Sequence, residues 1–410
     1  MKNALHPSKP LKTKIAYRSA RRGGHGSWTG FTLIELMISM TFLVVLMLVV
    51  SNMVSVIQRT WVRANSRVSV FREARMAFDR MSKTLAQATL NPYWESAVDI
   101  LAPDSLSQER TRAKRYVRQS ELQFVCGPSG QIMQTPGGAV NYPGHAVFFQ
   151  APLGVTNLVA ATGAAVNTEN MVNLLCGRGY FVVWGDDAAF RPPFLAGVGT
   201  VPTRSRFRLM EYSPTAEMNR IYDSTRRPLI DFSRLWYEDA ASSVVVAAGE
   251  TAASRAFTRP IAENIIALII SPQTEVKGNV GAQPYAIAPN YIYDSLLQAN
   301  PGAAMPTNVD DQGTQHLLPP LIKLTMVAVD EIGGEKLSSD DSLRNSLLTA
   351  CGSLFNSAAN FESDISGTGN TPGTLETFLM DNKLNYRVFT ATIPMKQSRW
   401  SRATGTNVGL

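Results

Sequence analysis

Between Phe31 and Gln58 the chain carries no lysine or arginine, and Glu35 is the only ionisable side chain. As a helix rising 1.5 Å per residue, those 28 residues extend about 42 Å, enough to cross a hydrocarbon core about 30 Å thick. The pattern then changes without ending. Ala64, Val68, Phe71, Ala74, Phe78, Met81 and Leu85 recur at steps of three and four, the apolar stripe of an amphipathic helix. Arg63, Arg67, Arg72, Arg75 and Asp79 fall on its other faces. One helix of about 60 residues, about 90 Å if unbroken, is therefore predicted over 31–91, with Pro92 stopping it.

Beyond Pro92 the helical period is lost. Residues 93–120 are mixed and polar, with a basic run at Arg110, Arg112, Lys114, Arg115 and Arg118. That run reads as a solvated loop or helix face, with a phosphate- or lipid-binding patch as the sharper alternative. Strand-like runs follow at 121–125, 146–150, 180–184, 206–212, 264–271, 321–329 and 386–393, separated by clusters of Gly, Pro and Ser. In 321–329, Ile322, Leu324, Met326 and Ala328 share one face, the period of two expected for a strand half-buried in an antiparallel sheet. Two helices are predicted among the late strands, at 340–354 and 375–383; Leu343, Leu347, Cys351 and Leu354 line one face of the first, which makes Cys351 a core residue. The fold class is α+β: a long N-terminal hydrophobic helix on an antiparallel β-sheet head. The segments 152–170 and 271–315, rich in Gly, Ala, Asn and Pro, read as surface-loop insertions, where binding tends to reside.

Charge alters this picture less than its total suggests. Of the formal net charge of +7, all seven come from Lys2, Lys9, Lys12, Lys14, Arg18, Arg21 and Arg22, so residues 31–410 are neutral. Nucleic-acid binding by a basic body is thereby excluded. Cys126, Cys176 and Cys351 are too few for a disulfide scaffold and lack zinc-site spacing. One bridge, Cys126–Cys176, plus one buried thiol is allowed if the body is exported; three buried thiols are equally allowed.

No catalytic constellation can be assembled. His6 and His25 precede the apolar run, and His145 and His316 each stand alone in loop-like context. The stretch around Ser129, "CGPSG", lacks the nucleophile-elbow spacing, and "GGEKLS" is too short to cradle a phosphate. Asp310–Asp311 and Asp340–Asp341 could attract calcium, but neither has an EF-hand spacing, and the second pair sits where a helix N-terminus favours acids. A non-enzymatic protein without cofactor is expected.

Three readings compete for the apolar segment. It is far longer than the h-region of a cleaved secretory signal and no A-x-A-like site follows it. A plain membrane anchor explains length and orientation, the basic tail holding the N-terminus in the cytoplasm. It leaves unexplained an acid placed at Glu35, where the bilayer penalises it. The third reading rests on "TGFTLIEL". A basic leader ending in Gly30, then Phe31, Thr32, Leu33, Ile34 and Glu35 as the fifth residue, resembles the class III (N-methylation) signal of type IV prepilins.

The resemblance implies a division into a basic leader 1–30, a pilin helix 31–91 with its transmembrane part at 31–58, and a head 92–410. It implies cleavage between Gly30 and Phe31 by a membrane-embedded prepilin peptidase, and methylation of the new N-terminus at Phe31. Glu35 would then pair with the α-amino group of a neighbouring subunit's Phe31, removing two buried, unpaired charges at once. Two further stretches carry likeness. "ENIIALIIS", "LPPLIKLTMVAVDE" and "NYRVFTATIPMKQSRW" look like the C-terminal strands of large minor pilins and pseudopilins of the PilW and pseudopilin J type. "FREARMAFDRMSKTLAQATLNPYWE" resembles the long prepilin-like proteins called Verru_Chthon cassette protein C. The expected protein is a minor pilin or pseudopilin, single-pass in the inner membrane with a periplasmic head, then carried to the cell surface in a filament. It would work at or near the tip of a type IV pilus-like or type II secretion-like filament. Its partners would be the peptidase, other pilins or pseudopilins and an inner-membrane assembly platform, with no nucleic acid. The alternative is a binding or adhesin-like module displayed on a pilin helix, using loops 152–170 and 271–315.

Overall fold

The computed structural model describes residues 32–97, 115–133, 142–156, 173–191, 201–222, 236–238, 240, 257–274, 286–297, 312–365, 367 and 372–398. The chain divides into two units, Met1–Val62 and Arg63–Leu410. Helix α1 (Leu33–Leu85) begins at Thr32, whose carbonyl accepts from the N–H groups of Glu35 and Leu36 at 3.0 and 3.2 Å. Its part Leu33–Trp61, 29 residues, is apolar and long enough to cross a membrane, and none of it is buried in its own chain.

Further on, the stripe becomes core: Ala74, Ala77, Phe78, Met81 and Leu85 are buried in the head. The helix stops at Leu85, short of the predicted Asn91. The N–H groups of Gln87 and Ala88 turn back to the carbonyls of Thr84 and Leu85, a tightened last turn. Thr89 then pairs with Gln150 in the sheet. Ala88 and Leu90 are buried on the way, so a sheet contact ends the helix before the proline can.

The segment expected to be a solvated loop or helix face contains an antiparallel ribbon, β1 (Tyr93–Ala97) and β2 (Arg115–Gln119). Its polar composition hides this, because the pairing is completed by amides from afar. The side chain of Gln312 accepts from the Arg118 N–H at 2.7 Å and donates to its carbonyl at 2.8 Å, as a neighbouring strand would.

Next come β3 (Val125–Pro128), the short helix α2 (Ser129–Ile132), β4 (His145–Pro152), β5 (Leu175–Gly185), β6 (Arg206–Tyr212) and β7 (Thr258–Glu263). With β9 (Tyr293–Asp294) they form a six-stranded antiparallel sheet ordered β7-β6-β5-β4-β3-β9. A second antiparallel sheet, ordered β11-β10-β8, consists of β8 (Ile265–Gln273), β10 (Leu321–Val329) and β11 (Tyr386–Pro394). Strand β8 packs against β3, β4, β5 and β6 of the other sheet, and every one of its residues is buried. This is why "IIALII" is apolar throughout instead of alternating. One residue, Asn264, separates β7 in one sheet from β8 in the other, and it turns the corner at φ +60°. Asparagine tolerates that left-handed conformation far better than the β-branched residues around it.

Between β10 and β11 lie α3 (Glu331–Ser339), α4 (Asp341–Ser353), α5 (Phe361–Ile365) and α6 (Thr374–Asp381). Asp330 caps α3 by accepting from Gly333 N–H at 2.8 Å, and Asp340 caps α4 by accepting from Leu343 N–H at 3.0 Å. Cys351 faces the core of this helical layer, as its spacing implies.

The expected loop 271–315 is a loop only in part. Strand β8 takes its first residues through Gln273, and 286–297 runs through the interior, with Ala286, Tyr291 and Tyr293 buried and β9 closing the sheet edge. The strand expected at 121–125 lies at 125–128 instead. Asn91 Oδ1 accepts from the N–H groups of Glu121 and Leu122 and holds that approach away from a ladder.

Candidate functional site

Glu35 occupies the first turn of α1, three residues after Thr32, and its N–H lies 3.4 Å from Thr32 Oγ1. A Thr followed three residues later by a Glu is the spacing of a capping box, and an acid there also complements the positive end of the helix dipole. The Glu35 carboxylate is exposed, and no basic group among the described residues pairs with it. It therefore has a local use at the helix start and is open to a partner outside the chain. Gly30 and Phe31, the expected cleavage site, lie outside the described residues.

Within the head, the second half of α1 is fixed by charge as well as by the stripe. Arg80 Nη2 meets Glu211 Oε2 on β6 at 2.6 Å, and Tyr180 on β5 donates to Glu211 Oε1 at 2.9 Å. Arg178 stands 3.8 Å from the same oxygen, so a buried carboxylate is held by three groups. Glu73 accepts from the Glu263 N–H at 3.4 Å. Burial, reinforced by the charges of Glu263 and Glu331, raises the Glu73 pKa. Beside it Arg208 pairs with Glu263 at 3.1 Å, and Arg204 and Arg206 converge on Glu331 at 2.6 and 3.2 Å. Asn264 donates to the other Glu331 oxygen at 2.8 Å. This network ties helix, corner and α3 together.

The cysteines settle differently from the allowed bridge. Cys126 and Cys176 are both free and buried, as is Cys351. Cys126 pairs across β3–β4 with Val147, whereas Cys176 pairs across β4–β5 with Ala151. They sit on either side of β4 and four residues apart along it. At about 4.8 Å per strand and 3.4 Å per residue the separation far exceeds the roughly 7 Å limit for bridging Cα atoms. Burial raises the Cys126 thiol pKa and pushes that of Cys351 up to about 12, so neither is a ready nucleophile.

His145, expected in a loop, opens β4 with only 1% of its surface exposed. Its Nδ1 accepts from Ile270 N–H at 3.0 Å, which leaves Nε2–H to donate to the Phe355 carbonyl at 2.9 Å. Burial holds its pKa down at about 4. The β3–β4 register brings Ser129 close by, since Pro128 pairs with His145. Yet both imidazole nitrogens are engaged by backbone, so no base is available to the hydroxyl. His316 is also buried and is likewise depressed to about 4, by burial and then by Arg118.

Asp340 and Asp341 act as helix cap and as partner of Arg344 at 2.6 Å. Asp310 and Asp311 lie outside the described residues, as do 157–170 and, within 271–315, residues 275–285 and 298–311. Of the basic run, Arg118 is buried and donates to the Gly313 carbonyl at 2.8 Å. Among the described residues no group of His, Cys, Asp or Glu is arranged to hold a metal.

One feature escaped the sequence reading. Register places Trp94 and Tyr116 on one face of the β1–β2 ribbon, each 61% exposed. The signal was present in "PYWE", but a strand whose partner lies 20 residues away gives no local period. Compared with known proteins, the chain matches no family model, no curated protein and no solved structure.

Proposed function

We propose that this chain is a structural subunit of a type IV pilus-like or type II secretion-like filament. It would be a minor pilin or pseudopilin, cut after Gly30 by a prepilin peptidase, methylated at Phe31 and assembled at or near the tip. The observation that carries this reading is the segment Leu33–Trp61: apolar, uncovered by its own chain, and opened by Thr32 and Glu35. The same helix then enters the core of an α+β head. A plain anchor needs no acid in its first turn beyond the local capping that one offers. A filament subunit does, because cleavage creates an amine at Phe31 that is costly to leave unpaired in an apolar setting.

The basic leader supports insertion with the N-terminus in the cytoplasm and the head outside. Other pilin-like chains and an inner-membrane platform would be its partners, and its role would be non-catalytic. The test is the mature N-terminus by mass analysis. Phe31 is the expected first residue, and Gly30→Leu should leave the precursor uncut. A mature chain starting elsewhere would overturn the reading.

The second reading, a binding module displayed on the same helix, draws support from the exposed pair Trp94 and Tyr116. Candidate substrates retained in pull-down by the full chain, and lost with Trp94→Ala/Tyr116→Ala, would favour it over a purely structural role.

A further inference from the structure

Sheet edges are templates for adding strands, and proteins usually guard them. Edge strand β7 carries Pro260, and the opposite edge, β9, spans only two residues. Along β8, the free edge is flanked by the Gln273–Ala286 bridge and by the bond from Ile287 N–H to the Pro272 carbonyl. Strand β11 is different: nine residues long, at the end of its sheet, with its only proline at the last position.

The direction of its backbone groups follows from its two ends. Asp330 N–H donates to the Asn385 carbonyl, and Met395 N–H donates to that of Pro320. Both bonds continue the β10–β11 register, so odd-numbered residues of β11 turn their N–H and C=O groups toward β10. Val388, Thr390 and Thr392 therefore point theirs outward. Pro394 shares that parity and loses no ladder bond by lacking an N–H. The close approach of Thr325 and Thr390 hydroxyls, 3.2 Å, fits the non-hydrogen-bonded pair this assignment requires.

Beside the edge, the head portion of α1 leaves a groove of about 450 Å³, within the range that accommodates ligands. Phe78 and Phe389 lie at its floor with ring centroids 5.9 Å apart. Its rim holds Arg75, Lys83 and Arg387 against one acid, Asp79, which is already paired with Arg75 at 3.0 Å. No acid among the described residues pairs with Lys83 or Arg387.

We propose that this groove accepts an extended acidic segment of a partner protein, added as a strand to the outer edge of β11. The backbone edge supplies affinity and the basic rim supplies selection for charge. A second copy is the poorer occupant, because it would bring the same basic rim to the same edge. The proposal stands whether or not the chain joins a filament.

The experiment uses the full chain in phosphatidylcholine nanodiscs and a labelled ten-residue peptide of alternating Glu and Val, with a Lys-for-Glu counterpart. Anisotropy should show the acidic peptide binding at least tenfold more tightly than the basic one. Hydrogen exchange should slow at Val388, Thr390 and Thr392 when it binds. Thr390→Pro removes an outward N–H without touching the β10 ladder, and should weaken binding at least tenfold with an unchanged circular dichroism spectrum. Lys83→Glu/Arg387→Glu, at two exposed positions, should invert the preference between peptides, and it decides the matter if Thr390→Pro disturbs the fold. Equal binding of the two peptides, unchanged exchange at the three amides, or a preference unmoved by the charge reversal would overturn the proposal. Self-association abolished by Thr390→Pro would overturn it too, by making a second copy the occupant.

Discussion

At Glu35, a carboxylate that serves its own helix and one that meets a neighbour's amine make different demands on the side chain. Glutamine keeps the residue-35 N–H facing Thr32 Oγ1 and the length to reach back as a capping box does, but carries no charge. If local capping is the whole role, Glu35→Gln should behave as wild type, and Thr32→Ala should cost about 1 kcal/mol of helix stability. If the charge pairs across subunits, Glu35→Gln and Glu35→Val should both be inserted and processed yet fail to assemble. Breaking a buried pair costs roughly 3–5 kcal/mol, against at most about 1 for an exposed one. We expect the second outcome, read by cross-linking to partner pilins with a processing check on the same sample. Asn264 offers a cleaner residue-scale test. It sits at φ +60°, and its side chain donates to Glu331. Asn264→Val should lower the unfolding free energy by about 2–3 kcal/mol, combining a strained backbone with a lost charge-assisted bond. Asn264→Gly, which relieves the strain alone, should recover about half, as a urea midpoint would show.

Among the elements, α1 is the one whose two halves obey different solvents. Leu33–Trp61 is apolar with none of its residues buried, while Ala74, Phe78, Met81 and Leu85 are core. Its attachment to β5 and β6 depends on Glu211, which is 6% exposed and serves Arg80, Tyr180 and Arg178 together. Glu211→Ala should cost about 3 kcal/mol, because it strands a buried guanidinium and a buried hydroxyl. The single change Arg80→Ala should cost about 1 kcal/mol, since that side chain is 60% exposed. A double-mutant cycle by chemical denaturation measures the difference. Equal losses would mean that Glu211 holds the helix and nothing else.

For the molecule as a whole, the boundary between units at Val62 and Arg63 yields a solubility prediction. A chain beginning at Arg63 should be soluble and unfold cooperatively, whereas the full chain should partition into membranes. Its stability should also fall in acid. His145 has a folded pKa near 4 against an ordinary 6.5, so its neutral form is the native one. Above pH 6.5 the group is neutral in both states and costs nothing. As pH falls from 6.5 towards 4 the unfolded chain takes up the proton and the native chain does not. About 3 kcal/mol is lost over that interval, at about 1.4 kcal/mol per pH unit. His316 acts with the same sign. His145→Gln should roughly halve the slope between pH 4 and 6.5 in urea titrations of the head, His316 supplying the rest.

Much of what depends on a near neighbour in sequence was legible from the chain alone. The apolar run, the stripe from Phe71 to Leu85, strands 206–212 and 321–329, and the acid at the helix start Asp340 all follow from periods or spacings of at most four residues, whereas helix 331–339 behind its Asp330 cap was not foreseen. Thr32 and Glu35 belong to that group, because a helix start is a local event. Tertiary structure decided what distant partners decide. It ended α1 at Leu85 by pairing Thr89 with Gln150, and it built β2 against an amide from Gln312. It drew 286–297 into the core, and it placed Cys126 and Cys176 on opposite sides of β4. Those outcomes turn on register and on which polar groups remain to be satisfied once the sheets close, and neither is fixed until the chain has met itself.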